Sequence, residues 1–170
     1  MANYIPISTV TVGSGGAASI NFVDIPQNYS DLNVLLSVRS TAGGVAFAGL
    51  IVAFNGSSSG YTFTWVGDAN GSAVSYVQSA FGYNHIAYIP GSTATANSFG
   101  NVTFTMPDYT SSHAKAVHAE GANANNATTI YQGISVGSWS GTAPISSLSF
   151  TTAGSFVQYS TATLYGLRKY

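Results

Sequence analysis

Charge is nearly missing from this sequence. Asp, Glu, Lys and Arg make up 5% of its 170 residues, where an ordinary soluble domain carries about 25%. The acids are Asp24, Asp31, Asp68, Asp108 and Glu120, and the bases are Arg39, Lys115, Arg168 and Lys169. Four scattered cations cannot form the basic stripe that neutralises nucleic-acid phosphates. They are equally too few to draw the chain onto an anionic membrane surface. Cysteine is absent altogether, which excludes disulfides and thiolate chemistry. The most apolar run, Val45–Phe54, is half the length a spanning helix requires, so no membrane insertion is expected. The opening MANYIPISTV has no basic region followed by an apolar stretch, the pattern of a secretion signal.

Catalytic patterns are missing too. His113 and His118 are five apart, so on one continuous strand they would face opposite ways. His118 and Glu120 share a face, half of a metal site, but no third ligand stands at a useful spacing. Gly137-Ser138-Trp139-Ser140-Gly141 puts Trp where a nucleophile elbow needs Ser, and it reads as a strand end with its turn. The Gly13–Gly16 segment lacks the Lys and helix of a phosphate cradle. A glycosidase would need a facing pair among five dispersed acids, and Asp24 and Asp31 flank a loop, where Asp commonly fixes a turn. No enzyme activity and no cofactor are expected.

What the chain has in abundance is alternation. Leu32, Val34, Leu36 and Val38 fall on one face of a strand, with Asn33, Ser37 and Arg39 opposite. Val102, Phe104 and Met106 repeat the pattern, as do Leu148, Phe150 and Thr152. Period two with one buried face is the signature of antiparallel sheets. Further strands are expected over Ser8–Val12, Ala18–Ile25, Leu50–Phe54, Tyr61–Val66, Val74–Phe81, His85–Ile89, Ala114–Ala119, Thr128–Val136 and Thr161–Leu167. Turn signals separate them, sharpest at Asn55-Gly56 and Asn70-Gly71, whose residues tolerate the positive φ of a hairpin turn. Gly, Ser, Thr and Asn recur too often for a three-turn amphipathic helix. The expected fold is all-β: one antiparallel, jelly-roll-like β-sandwich over residues 1–170. Residues 1–8 are either an N-terminal arm that pairs with a neighbouring subunit or an ordinary first strand.

Aromatic residues are 13% of the chain, eleven of them tyrosines. Tyr61, Phe63 and Trp65 alternate on one strand face, and core packing accounts for most such residues. Tyr also suits wet interfaces. Trp65, Tyr76 and Tyr83, around the Gly67–Gly71 turn, are therefore partner-contact candidates, for a glycan or another protein. The closing Arg168-Lys169-Tyr170 holds half of the positive charge and is a candidate for docking on an acidic partner.

The stretches Asp31–Ser40 (DLNVLLSVRS), Phe54–Thr62 (FNGSSSGYT), Ile89–Asn97 (IPGSTATAN), Asn125–Gly133 (NNATTIYQG) and Gln158–Leu167 (QYSTATLYGL) resemble small virion structural proteins of tailed bacteriophages, notably cyanophage-like ones. The similarity spans about Asp31 to Leu167 and consists of strand and turn signatures, so it carries no functional residues across. It implies β-sandwich modules, commonly homotrimers, that decorate a capsid or form tail-fibre parts. The resulting expectation is a capsid decoration (cement) protein, made in the host cytoplasm and bound to the major capsid protein on the outside of the head. The alternative is a tail-fibre or receptor-binding module that recognises host surface glycans. A compact monomer of 17.5 kDa exposes about 7,900 Å². Nine charges over that area leave a neutral exterior that predicts contact surface.

Overall fold

The structure is a computed structural model and describes residues 3–69, 71–125 and 129–168. Twelve strands are seen: β1 (Asn3–Thr11), β2 (Ala17–Phe22), β3 (Asp31–Val38), β4 (Phe47–Phe54), β5 (Tyr61–Ala69), β6 (Ser72–Phe81), β7 (Asn84–Pro90), β8 (Gly100–Pro107), β9 (Lys115–Asn125), β10 (Thr129–Trp139), β11 (Leu148–Phe156) and β12 (Thr161–Arg168). They build two antiparallel sheets, one of eight strands in the order β1-β12-β3-β8-β9-β10-β5-β6 and one of four in the order β2-β11-β4-β7. Among the described residues there is no helix.

This strand order is that of a jelly roll with a wing. The quartet β1-β12-β3-β8 faces the quartet β2-β11-β4-β7, and the chain passes from one sheet to the other at every step of the roll except β4 to β7, which are neighbours in the small sheet. Two hairpins interrupt it. β5–β6 is inserted between β4 and β7, and β9–β10 between β8 and β11. Both add to the same side of the first quartet, doubling its width. From Asn3 onward the first strand pairs with β12 of the same chain, with an irregularity between Pro6 and Ser8.

The alternating residues read from the sequence supply the core. Leu32, Val34, Leu36, Val102, Phe104 and Leu164 of the large sheet meet Ile20, Phe22, Leu50, Val52, Phe54 and Phe150 of the small one. Phe104 lies edge-on to Phe150 at 5.8 Å between centroids, and Phe22 to Phe150 at 6.3 Å. Such pairs add about 0.5–1.5 kcal/mol each beyond the area they bury.

The two Asn-Gly pairs do different things. Residues 70–71 join β5 to β6, with Ala69 opposite Ser72 and Gly71 at φ 79°, whereas Asn70 lies outside the described residues. Asn55 and Gly56 are left-handed (φ 51° and 68°), but β4 and β5 are in different sheets. That turn sends the chain across the sandwich instead of closing a hairpin, and the Asn55 side chain ties it down by accepting the N–H groups of Ser146 and Ser147.

Two of the four cations are interior. Arg39, expected on the open face of its strand, is buried and donates to the carbonyl oxygens of Ala94 (3.1 Å), Thr95 (2.5 Å) and Ser98 (3.1 Å). Lys115 is buried and donates to the carbonyls of Ser111 (2.8 Å) and His113 (2.5 Å). Burial lowers the pKa of both. Charge-assisted bonds to several carbonyls offset that desolvation, and each cation closes a loop that has little apolar content of its own. Replacing Arg39 by Ala should therefore open the 91–98 loop to limited proteolysis while the strands remain protected; unchanged cleavage would show that the loop holds without its clamp.

Candidate functional site

The wing places a long row of residues on the outer face of the large sheet. Successive registers align Ser75, Val66, Ile134, Glu120, Thr103, Leu35, Thr163 and Thr9 across all eight strands. On the wing this face is aliphatic: Val66 is 55% exposed, Val77 67%, Ile134 50% and Val136 56%. They are cross-strand or next-nearest neighbours on β5, β6 and β10, so they form one patch.

Overlapping the patch at Val66 and Ile134 lies an open depression of about 670 Å³ over β6, β5, β10, β9 and β8. Asp68, Asn101, Thr103, Glu120 and Gln132 bring polar groups to it, and Val66, Ile134, Ala73 and Ala122 apolar ones. Its position has a cause on the other side of the sheet. Gly67, Gly133 and Gly121 stand opposite one another on β5, β10 and β9. A Cβ on Gly67 would come within 2.6 Å of Trp65 Cη2, one on Gly133 within 2.6 Å of Trp65 Cε2, and one on Gly121 within 2.8 Å of Ala87 Cβ. Three missing side chains let the sheet settle onto the indole and onto β7, and the outer surface is dented above them.

The inner face of the wing is an aromatic cluster closed over β7. Trp65 is 1% exposed, so it is an interior residue and not a displayed contact. Its ring stacks on Tyr76 (5.7 Å, 24°) and meets Tyr88 edge-on (5.4 Å, 89°). Tyr76 turns inward as well, its hydroxyl 3.0 Å from His85 Nδ1. Burial above all, then the neighbouring Tyr88 and Tyr83, push the Tyr76 phenol upward, and burial pulls the His85 imidazole down to about 4. Tyr83 is half-buried next to this cluster. Several polar atoms here, Trp65 Nε1, His85 Nε2, both ends of the Asn84 amide and Asn123 Oδ1, are buried with no hydrogen-bond partner among the described residues. Arg168 is exposed and lies over the Tyr29 ring at 5.4 Å; Lys169 and Tyr170 lie outside the described residues.

The remaining acids are separated or committed. Asp31 accepts the backbone N–H of Asp108 (3.0 Å) and the Ser30 hydroxyl (3.2 Å), fixing the turn beyond β8. Asp68 accepts the Gly71 N–H (2.9 Å) at the wing's hairpin. Asp68 and Glu120 line the same depression from strands two apart in the sheet, which sets their backbones about 12 Å from each other. His118 and Glu120 do share the outer face, and His113 precedes β9. No group of three or more His, Asp or Glu converges on a metal position among the described residues. Likewise no helix among them is long and apolar enough to cross a membrane.

Compared with protein-family models, curated proteins and solved structures, the chain matches none of them. Its class is thus given by its own geometry: an antiparallel β-sandwich with a widened sheet.

Proposed function

We propose that this chain is a virion structural protein, a decoration (cement) protein that sits on the outside of a tailed-phage head and stabilises contacts between capsomers. The observation that carries this reading is the unguarded margin of the wing. β6 is the last strand of the eight-stranded sheet, ten residues long, and contains neither Pro nor a charged residue. Free strand edges are ordinarily blunted by Pro, charge or a bulge, because they pair with whatever strand they meet. At the opposite edge β1 has Pro6 and an irregular register in mid-strand, whereas the irregularity of β6 is confined to its Phe81 end and leaves Ser72–Ser79 in regular register. β6 instead presents Val77 beside the Val66–Ile134–Val136 patch, and that combination is suited to burial against another subunit.

In this reading copies associate through β6, as a homo-oligomer that the resemblance makes a trimer, and the neutral face seats on the major capsid protein. With Arg39 and Lys115 enclosed, few charges remain to hold the contact. Screening by salt then weakens it little. Binding to tailless heads should survive a rise from 0.1 to 1 M NaCl, measured by co-sedimentation; release at moderate salt would overturn the mechanism. Val77→Lys should convert the oligomer to monomer in light scattering after size exclusion, without loss of the β-sheet circular dichroism signal. An unchanged mass would remove β6 from the interface.

A further inference from the structure

We infer that the depression over the glycine row is a binding site for a neutral saccharide. This ligand class is the one named by the receptor-binding alternative, but the residues are different: Trp65 and Tyr76 of that expectation face the interior, and the depression is on the opposite side of the sheet. The dent shares Val66 and Ile134 with the patch assigned above to subunit contact, and Ala73 with β6, so the two readings are tested by separate readouts: trisaccharide binding for the dent, oligomeric mass and head binding for the seating.

Size comes first. About 670 Å³ falls within the roughly 300–1,000 Å³ of small-ligand sites, and an open dent suits a segment of a longer chain. Chemistry then narrows the class. No Lys, Arg or His lines the depression, while Asp68 and Glu120 do; phosphate, sulfate and carboxylate ligands are therefore repelled. Carboxylates accept only, the amides of Asn101 and Gln132 both donate and accept, and so does the Thr103 hydroxyl. A ligand that answers all five must be rich in groups that donate and accept at once, which is the property of sugar hydroxyls. Hydrogen bonds to the two carboxylates are the strong ones of the set. Val66, Ile134, Ala73 and Ala122 offer apolar surface to the C–H faces of a pyranose ring. A compact cation is a poorer fit, because the two carboxylates stand on backbones about 12 Å apart and Asp68 already accepts the Gly71 N–H.

The test is saturation-transfer NMR of the full chain with glucose-, galactose- and mannose-based neutral trisaccharides, with sialylated and sulfated counterparts, and with spermidine. Neutral trisaccharides should give transfer and the anionic ones none. Gln132→Ala and Glu120→Ala should each weaken the best neutral ligand at least 10-fold. Ala122→Leu, which fills the dent from the solvent side and leaves the core untouched, should abolish binding, while Thr9→Ala on the far strand of the same face should not change it. Failure of every neutral trisaccharide, preference for spermidine or an anionic sugar, or indifference to Gln132→Ala and Ala122→Leu would each overturn the inference. Co-sedimentation with heads, run on the same variants, reports the seating separately: its loss in Val77→Lys alone leaves the saccharide site standing.

Discussion

Trp65→Ala should lower the unfolding free energy by about 3–5 kcal/mol, the range for deleting a large buried aromatic. The indole is the floor on which the wing rests. It stacks on Tyr76, meets Tyr88 edge-on, and fills the space that Gly67 and Gly133 leave open. Those glycines cannot move inward to fill the cavity without breaking register with β9 and β6. Urea titration followed by circular dichroism checks the figure, and Trp139 remains as a second probe in the core. A loss under about 1 kcal/mol would mean that the sheet does not rest on this ring. Enlarging a glycine should act in the same direction: Gly133→Val pushes a branched side chain into the indole, and overpacking of this kind costs about 1–3 kcal/mol.

The second large effect is a dependence on pH. His85 is buried and its pKa is lowered from 6.5 to about 4. The unfolded chain takes up a proton near pH 6.5, while the folded chain resists until about 4. Stability contributed by neutral His85 is therefore complete above pH 6.5 and is lost as the pH falls toward 4. The loss amounts to about 3 kcal/mol across that window. Carboxylates titrate near its lower end, so the informative quantity is the difference between the native chain and His85→Phe, which keeps a ring against Phe63 and Tyr88. The native chain should lose stability more steeply between pH 6.5 and 4 than the variant. Parallel curves would show that His85 is not enclosed. Because His85 joins β7 to Tyr76 of β6, the wing should loosen first on acidification, and hydrogen exchange should accelerate there before it does in β3, β8 and β12.

Most of the strands were legible because alternation is a local property. Leu32 to Val38 must place every second residue inward wherever the strand goes, and Tyr61, Phe63 and Trp65 do so too. What alternation cannot tell is which sheet lies beneath. Trp65 and Tyr76 could equally have faced solvent until β7 was found under them, and the same ambiguity made them candidates for display. Arg39 and Lys115 were hidden for a related reason. Hydropathy counts a cation as surface, but a ring of backbone carbonyls from residues 92–98 or 111–113 leaves no mark in the side-chain sequence. The depression was the least legible feature, since its lining comes from five strands between Val66 and Ile134 with no local motif. One trace did exist in retrospect: Gly67, Gly121 and Gly133 interrupt otherwise well-patterned strands, and glycine inside a strand marks a close approach of something.

The position of β12 has a consequence for how the molecule is made. It lies between β1 and β3, so the first strand has no neighbour in its sheet until residues 161–168 arrive. During synthesis β1 must wait, with Tyr4 and the rest of its length unpaired, for a partner strand at residues 161–168. The β5–β6 and β9–β10 hairpins close locally and can form early, whereas the roll that supports them is completed only by a late long-range pairing, the kind that folds slowly. A nascent chain stopped before residue 161 should therefore expose strand edges and be a client for chaperones, and any fusion or truncation at the C-terminal side would be felt first at the N-terminal edge.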